Sequence, residues 1–261
     1  MAAASRGAAS GAGRLAGGAS AWARHFAHAE TREQIARDVE RTQRDMHFFS
    51  GGAAAEAHRA AIARALFVFA ATNATVRYVQ GMNELMAGLY YVAATSPAAG
   101  HDCDEAVDES EFEVPYGPPV GAAEAAAFAC FVPMLAELRD LFCASLDGSA
   151  GGVAGAMATL SAHLERADAE LAAALVARGV NPQFFAFRWI TTALTQEFPL
   201  PDAIRAWDAM LADPAGPRDA LLRIAAAMVL HLRQQLLAGD FATNIKLLQA
   251  YPPADGAIAP E

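Results

Sequence analysis

Along most of this chain, apolar side chains return every three or four positions, the spacing that places them on one face of an α-helix. Ile62, Leu66 and Phe69 form one such stripe. Phe128, Phe131, Leu135, Leu138 and Phe142 form another, in which Pro133 predicts a kink or a late start. A third stripe runs through Val153, Met157, Leu160, Leu164, Leu171 and Leu175, and Gly179 marks its stop. A fourth, opened by Asn181-Pro182, holds Phe184, Phe187, Ile190, Leu194 and Phe198. Ile204, Trp207 and Leu211 follow, with Asp202 as the predicted N-cap. The last long stripe is Ile224, Met228, Leu232 and Leu236. No segment alternates apolar and polar residues over the length of a strand, so the predicted fold class is all-α, a multi-helix domain.

Three stretches interrupt the pattern. The first 29 residues are rich in Ala, Gly and Ser, with Arg6, Arg14 and Arg24 and no acid, and 1–21 of them read as the tail. They predict a disordered tail, although Arg and Ser without acids also mark organellar transit peptides. Residues 96–121 concentrate seven acidic residues, from Asp102 to Glu113, ahead of Pro115, Pro118 and Pro119. Charge repulsion and proline predict a solvated surface loop there. Residues 254–261 read as a second tail, which leaves a domain over 22–253.

Composition narrows the function classes. Apolar residues make up 54% of the 261-residue chain, enough for a sizeable core. A formal net charge of −10 argues against a nucleic-acid partner, which calls for a basic face. The apolar stretches 60–71 and 219–238 are interrupted by Arg64, Arg223, His231 and Arg233, which predicts no stable membrane insertion. Three unpaired cysteines predict no disulfide framework, and Cys130 and Cys143 fall in apolar helical sequence as expected buried thiols. His101 and Cys103 alone are too few for a closed zinc site, so no metal is expected.

Two short segments could carry chemistry. In IARDVERT, Ile35, Asp38 and Arg41 are three apart and share one helix face. Ile35 can anchor that face in the core, and Asp38 can hold the guanidinium of Arg41. An arginine suits phosphate because its planar fork donates at two points and keeps its charge. Taken alone, this stretch is better accounted for by an ordinary amphipathic helix with a surface ion pair. The second segment is YVQGMNEL. Its Gly81 permits a sharp backbone turn, and Gln80 and Asn83 place uncharged amides among apolar neighbours, where amides need hydrogen-bond partners. A helix start with a buried polar network explains it as well as a catalytic amide does.

Together the two segments resemble the paired signatures of the TBC domain family of Rab GTPase activators, I-x-x-D-x-x-R-T followed by Y-x-Q-G-M-N. Ile35, Asp38, Arg41 and Thr42 match the first, and Tyr78, Gln80, Gly81, Met82 and Asn83 the second. Arg188-Trp189, Glu197-Phe198 and Trp207-Asp208 match a third stretch of the family frame. The wider text, from RTQRDMHFFSG to LLAGDFATNIKLLQAYPP, is most similar to the branch containing family member 13. The family usually begins with a further helix bearing R-x-x-x-W. Here that stretch reads MAAASRGAASGAGRLAGGAS, and a shortened domain start is expected.

The resemblance implies a two-lobed helical domain that acts on a GTP-bound Rab-family GTPase and so regulates vesicle traffic. Arg41 is implied as an arginine finger and Gln80 as a glutamine finger. Asp38, Tyr78, Asn83 and Thr42 are implied as their support. Ile35, Gly81, Met82, Arg188 and Trp189 are expected to be structural or to stand behind those residues. No cofactor of its own is implied, since GTP and Mg²⁺ are carried by the partner, and the chain has no G-x-x-x-x-G-K-[ST] loop. The expected location is cytoplasmic, with transient visits to membranes through the partner. A non-catalytic Rab-binding or adaptor protein, or an inactive truncated paralogue, is the alternative.

Overall fold

A computed structural model describes residues 15–73, 76–96, 121–142, 148–149 and 151–252, with side chains from residue 25 onward. The expected tail over 1–14, the acidic loop over 97–120 and the tail 254–261 lie outside the described residues. Among the described residues the structure is helical with no strand, as the 3.6-residue period predicts.

Five helices form the first group: α1 (Leu15–Arg41), α2 (His47–Ser50), α3 (Gly52–Thr72), α4 (Met82–Thr95) and α5 (Gly121–Leu138). A 3₁₀ turn, Arg139–Phe142, leads to the second group. That group holds α6 (Val153–Ala167), α7 (Ala169–Ala177), a 3₁₀ turn at Pro182–Phe184, α8 (Ala186–Thr191), α9 (Leu200–Leu211), α10 (Pro217–His231), α11 (Arg233–Ala238) and α12 (Phe241–Gln249). Within the first group α4 packs on α5 and α1 on α3; within the second α6 packs on α10 and α7. Helix α10 also reaches α5, and one continuous apolar core runs through both groups.

Several boundaries differ from those the sequence predicts. The helix carrying the arginine motif starts at Leu15, inside the stretch expected to be a disordered tail. Alanine has the highest helix propensity, and here that outweighs Gly17 and Gly18. The stripe over 153–175 divides at Asp168, whose carboxylate accepts the Leu171 amide at 3.0 Å and caps α7. Its predicted stop is correct: Gly179 is left-handed (φ 72°), and the Val180 amide returns to the Leu175 carbonyl at 2.9 Å. Pro133 neither starts nor ends a helix; it sits on the exposed side of α5. Asp202 is not the cap of α9, which begins at Leu200 after Pro199, but it lies in the first turn, where a carboxylate complements the helix dipole. Cys130 is exposed rather than buried.

The stripe over 184–198 departs furthest. Helix α8 stops after Thr191, and Ala193 (φ 45°) and Leu194 (φ 71°) turn left-handed. A glycine-type helix end is formed without glycine: the Leu194 amide bonds the Trp189 carbonyl at 2.9 Å. Complete burial of both side chains and the Trp207 indole donating to the Ala193 carbonyl at 2.7 Å offset the conformational cost.

The membrane expectation also needs amendment. The helical stretch Gly121–Phe142 is long and apolar enough to cross a bilayer by length and composition. Here Ala127, Phe131, Met134, Leu135 and Leu138 on one face of it are buried in the core. A buried ion pair, the Glu124 carboxylate with the Arg64 guanidinium, fastens its first turn to α3.

Candidate functional site

Ile35 has no exposed surface and anchors the inner face of α1. One turn later Asp38 is also buried, and at the last helical position Arg41 reaches out. The Arg41 Nη2 donates to Asp38 Oδ1 at 2.5 Å, yet the arginine side chain stays 52% exposed. One nitrogen is tethered by this pair, and the outer part of the fork faces solvent.

The second motif reaches the same carboxylate from the other side. The Tyr78 hydroxyl donates to Asp38 Oδ2 at 2.8 Å and lies 3.2 Å from Asn83 Oδ1. Burial, then the nearby Asp38 carboxylate, push the Tyr78 hydroxyl far above its ordinary pKa, so it remains a proton donor through the physiological range. Asn83 Oδ1 accepts the Gly81 amide at 3.0 Å, and its Nδ2 donates to Thr42 Oγ1 at 2.8 Å. The Thr42 hydroxyl in turn donates to the Asp38 carbonyl at 2.8 Å. Asp38, Thr42, Tyr78 and Asn83 thus form one buried, satisfied network between the end of α1 and the start of α4. Such a network holds its members in a single arrangement.

The sequence reading placed both amides of the second motif in apolar surroundings. Asn83 is buried and finds its partners inside the protein, whereas Gln80 is exposed. The cause is Gly81, left-handed at φ 106°, which turns the chain sharply ahead of α4 and leaves Gln80 on the outside of the bend. A β-carbon on Gly81 would lie 2.6 Å from the Thr191 carbonyl oxygen. Gly81→Ala is therefore expected to cost about 2–5 kcal/mol, from the left-handed conformation and the backbone clash together. A thermal melt checks this, and a change of less than ~1 kcal/mol would contradict the close approach.

The remaining motif residues hold the frame. Met82 is fully buried, and its sulfur lies 3.4 Å from the Val79 amide. Arg188 grips Glu197 with two nitrogens, at 2.6 and 2.8 Å, and also donates to the Gln249 carbonyl at 2.6 Å. Trp189 is fully buried between Phe185 and Tyr251, with ring centroids 5.0 and 5.7 Å away. The third motif therefore ties α8 to the following turn and to α12. Among the described residues no cluster of three or more His, Cys, Asp or Glu is grouped to hold a metal.

Sequence reasoning passed over two side chains beside Arg41. Gln43 has left-handed backbone (φ 46°) immediately after Thr42, and its Nε2 donates to Glu84 Oε2 at 2.9 Å. Glu84 is buried in the first turn of α4. Burial raises its carboxyl pKa, opposed by hydrogen bonds from Gln43 and Gln196 and by the charge of Arg41. The available signal was an acid inside the apolar run of YVQGMNEL, where an unpartnered carboxylate is costly.

Known proteins are similar to this chain in sequence and in fold. The sequence profile of the Rab-GTPase-TBC domain matches residues 23–237. TBC1 domain family member 13 of Mus musculus is 44% identical over 201 residues, spanning 77% of this chain and 45% of its own length. The Homo sapiens protein of the same name is 43% identical over 200 residues, with the same coverage. The chain thus spans about half the length of these curated relatives. In three dimensions the fold matches the crystal structure of the Ypt/Rab-GAP domain of Gyp1p, with a TM-score of 0.71 and 26% identity over 88% of this chain and 69% of that one. With its helical frame and its motif residues both in place, the chain belongs to the Rab-GTPase-TBC domain family.

Proposed function

We propose that this chain is a GTPase-activating protein for a Rab-family GTPase, with Arg41 and Gln80 inserted into the partner's nucleotide site. One observation carries the reading. An exposed arginine and an exposed glutamine stand on two segments locked together by the buried Asp38–Tyr78–Asn83–Thr42 network. Two solvent-facing polar side chains on one rigid support are accessible to a partner.

The chemistry follows from what a GTPase lacks. Phosphoryl transfer is limited by charge developing on the transferred group and by the pose of the attacking water. Arg41 keeps one nitrogen on Asp38 and offers the rest of its fork to phosphate oxygens. Gln80 offers a carbonyl oxygen and an amide that orient the water. Asp38 and Tyr78 orient Arg41 and take no proton. GTP and Mg²⁺ belong to the partner, which performs the hydrolysis. The setting is cytoplasmic, at whichever membrane carries the GTP-bound partner, and the outcome is control of vesicle traffic.

A panel of GTP-loaded Rab proteins, each followed by phosphate release, tests the proposal. At least one is expected to hydrolyse GTP about 10³-fold faster or more with this protein present. Gln80→Ala is expected to remove at least about 100-fold of that acceleration while binding persists. Binding of a Rab without acceleration by the wild-type protein would replace the proposal with a non-catalytic Rab-binding role.

A further inference from the structure

Gln43 adopts a left-handed backbone two residues after Arg41. Glycine would take that conformation at almost no cost, and glutamine pays a steric penalty for it. What glutamine adds is an amide. Its Nε2 donates to Glu84 Oε2 at 2.9 Å and lies 3.5 Å from the Thr195 carbonyl. Glu84 is only 5% exposed, and its other oxygen lies 3.4 Å from Asn83 Nδ2. A carboxylate is costly to bury, so its presence here calls for an explanation beyond filling space.

The location supplies one. Helix α1 ends at Arg41, so no following helical turn restrains that residue. The buried network pins it from the Asp38 side alone. On the other side stands the Gln43 amide, seated on Glu84 in α4 and beside Thr195 in the turn after α8. We propose that Gln43 and Glu84 are positioning residues for Arg41, a clamp that fixes the chain just beyond the arginine and so sets where its guanidinium points. The proposal rests on Arg41 acting as the finger, and it extends that reading to two residues outside the motif match. The charges of Arg41 and Asp38 both reach the Glu84 carboxyl, which places the three groups within one electrostatic neighbourhood.

The test compares wild type, Gln43→Gly, Glu84→Ala and Glu84→Gln by two readouts. The first is the Nε–Hε NMR signal of Arg41 in the free protein, assigned with Arg41→Lys. The second is kcat and KM for GTP hydrolysis by a responsive Rab. Gln43→Gly relieves the left-handed strain but takes one donor from the buried Glu84, so the two effects oppose and the protein is expected to stay folded. Its kcat is expected to fall about 10- to 100-fold with KM changed less than about threefold, because a catalytic group misplaced by about 1 Å loses that much. The Arg41 signal is expected to become motionally averaged. Glu84→Ala should match it, and Glu84→Gln, which keeps an oxygen for the Gln43 amide, should retain kcat within about fivefold. A folded Gln43→Gly protein with unchanged kcat and an unchanged Arg41 signal overturns the proposal. If no Rab responds to wild type, the activator reading fails separately. The clamp is then decided by the Arg41 signal alone, supported if order is lost in Gln43→Gly and refuted if it is kept.

Discussion

Arg41→Ala is expected to abolish the acceleration of GTP hydrolysis, a loss of about 10³- to 10⁵-fold in kcat for the responsive Rab. The size follows from the transition state. Charge accumulates on the phosphoryl oxygens, and a preorganised guanidinium in a site closed to water stabilises it far more than water does. Arg41→Lys is the more telling variant. Lysine keeps the positive charge near Asp38, so the local ion pair and the melting temperature should survive. It lacks the planar fork, so it cannot hold the Asp38 carboxylate and bridge phosphate oxygens together. A loss of at least about 100-fold is expected for Arg41→Lys as well. The fold should tolerate both changes. The Arg41 side chain is 52% exposed but that of Asp38 only 7%, so losing the pair in Arg41→Ala is expected to cost about 1–3 kcal/mol, which a folded domain withstands. Single-turnover hydrolysis beside a chemical denaturation curve separates the two effects. Acceleration that persists in Arg41→Ala would remove Arg41 from the mechanism.

The largest expected effect on stability lies elsewhere, at Arg64. Its side chain is 3% exposed and that of Glu124 12%, and the two form a bidentate pair between α3 and α5, with Nε to Oε1 at 2.7 Å. Arg64→Ala leaves a buried carboxylate without that pair, and a loss of about 3–5 kcal/mol is expected. Whole domains are stable by only about 5–15 kcal/mol, so this single change should shift the denaturation midpoint severely. The double variant Arg64→Met with Glu124→Leu removes both charges and fills the space, and it should recover most of the loss. Equal losses in the single and double variants would mean that packing, and not the stranded charge, is responsible.

The pair also shows where sequence reading stops. Arg64 interrupts an apolar stripe and counted there only as a break in a membrane span. Its partner lies sixty positions away, beyond the acidic stretch where the helical period lapses. The same limit explains α8. Phe184, Phe187, Ile190, Leu194 and Phe198 keep helical spacing, yet the helix stops at Thr191 because Ala193 and Leu194 gain more from burial than they lose in left-handed backbone. Local spacing cannot register a gain that depends on Trp207, fourteen residues further on.

What the chain's own pattern determined is the helical class, the Gly179 stop, and the residue types at the site: an arginine behind an aspartate, and an amide ahead of a glycine. These are local properties, set by side-chain period, by glycine's access to positive φ and by the donor geometry of each residue. Tertiary structure alone decided how they are combined. It brought Tyr78 to Asp38 and Asn83 to Thr42, turned Gln80 outward while burying Asn83, set the Thr191 carbonyl against Gly81, and seated Gln43 on Glu84. Each of these contacts joins segments about forty or more residues apart. Their pairing is chosen by the total burial and hydrogen bonding of the packed core, a sum over the whole domain that no single stretch of sequence carries.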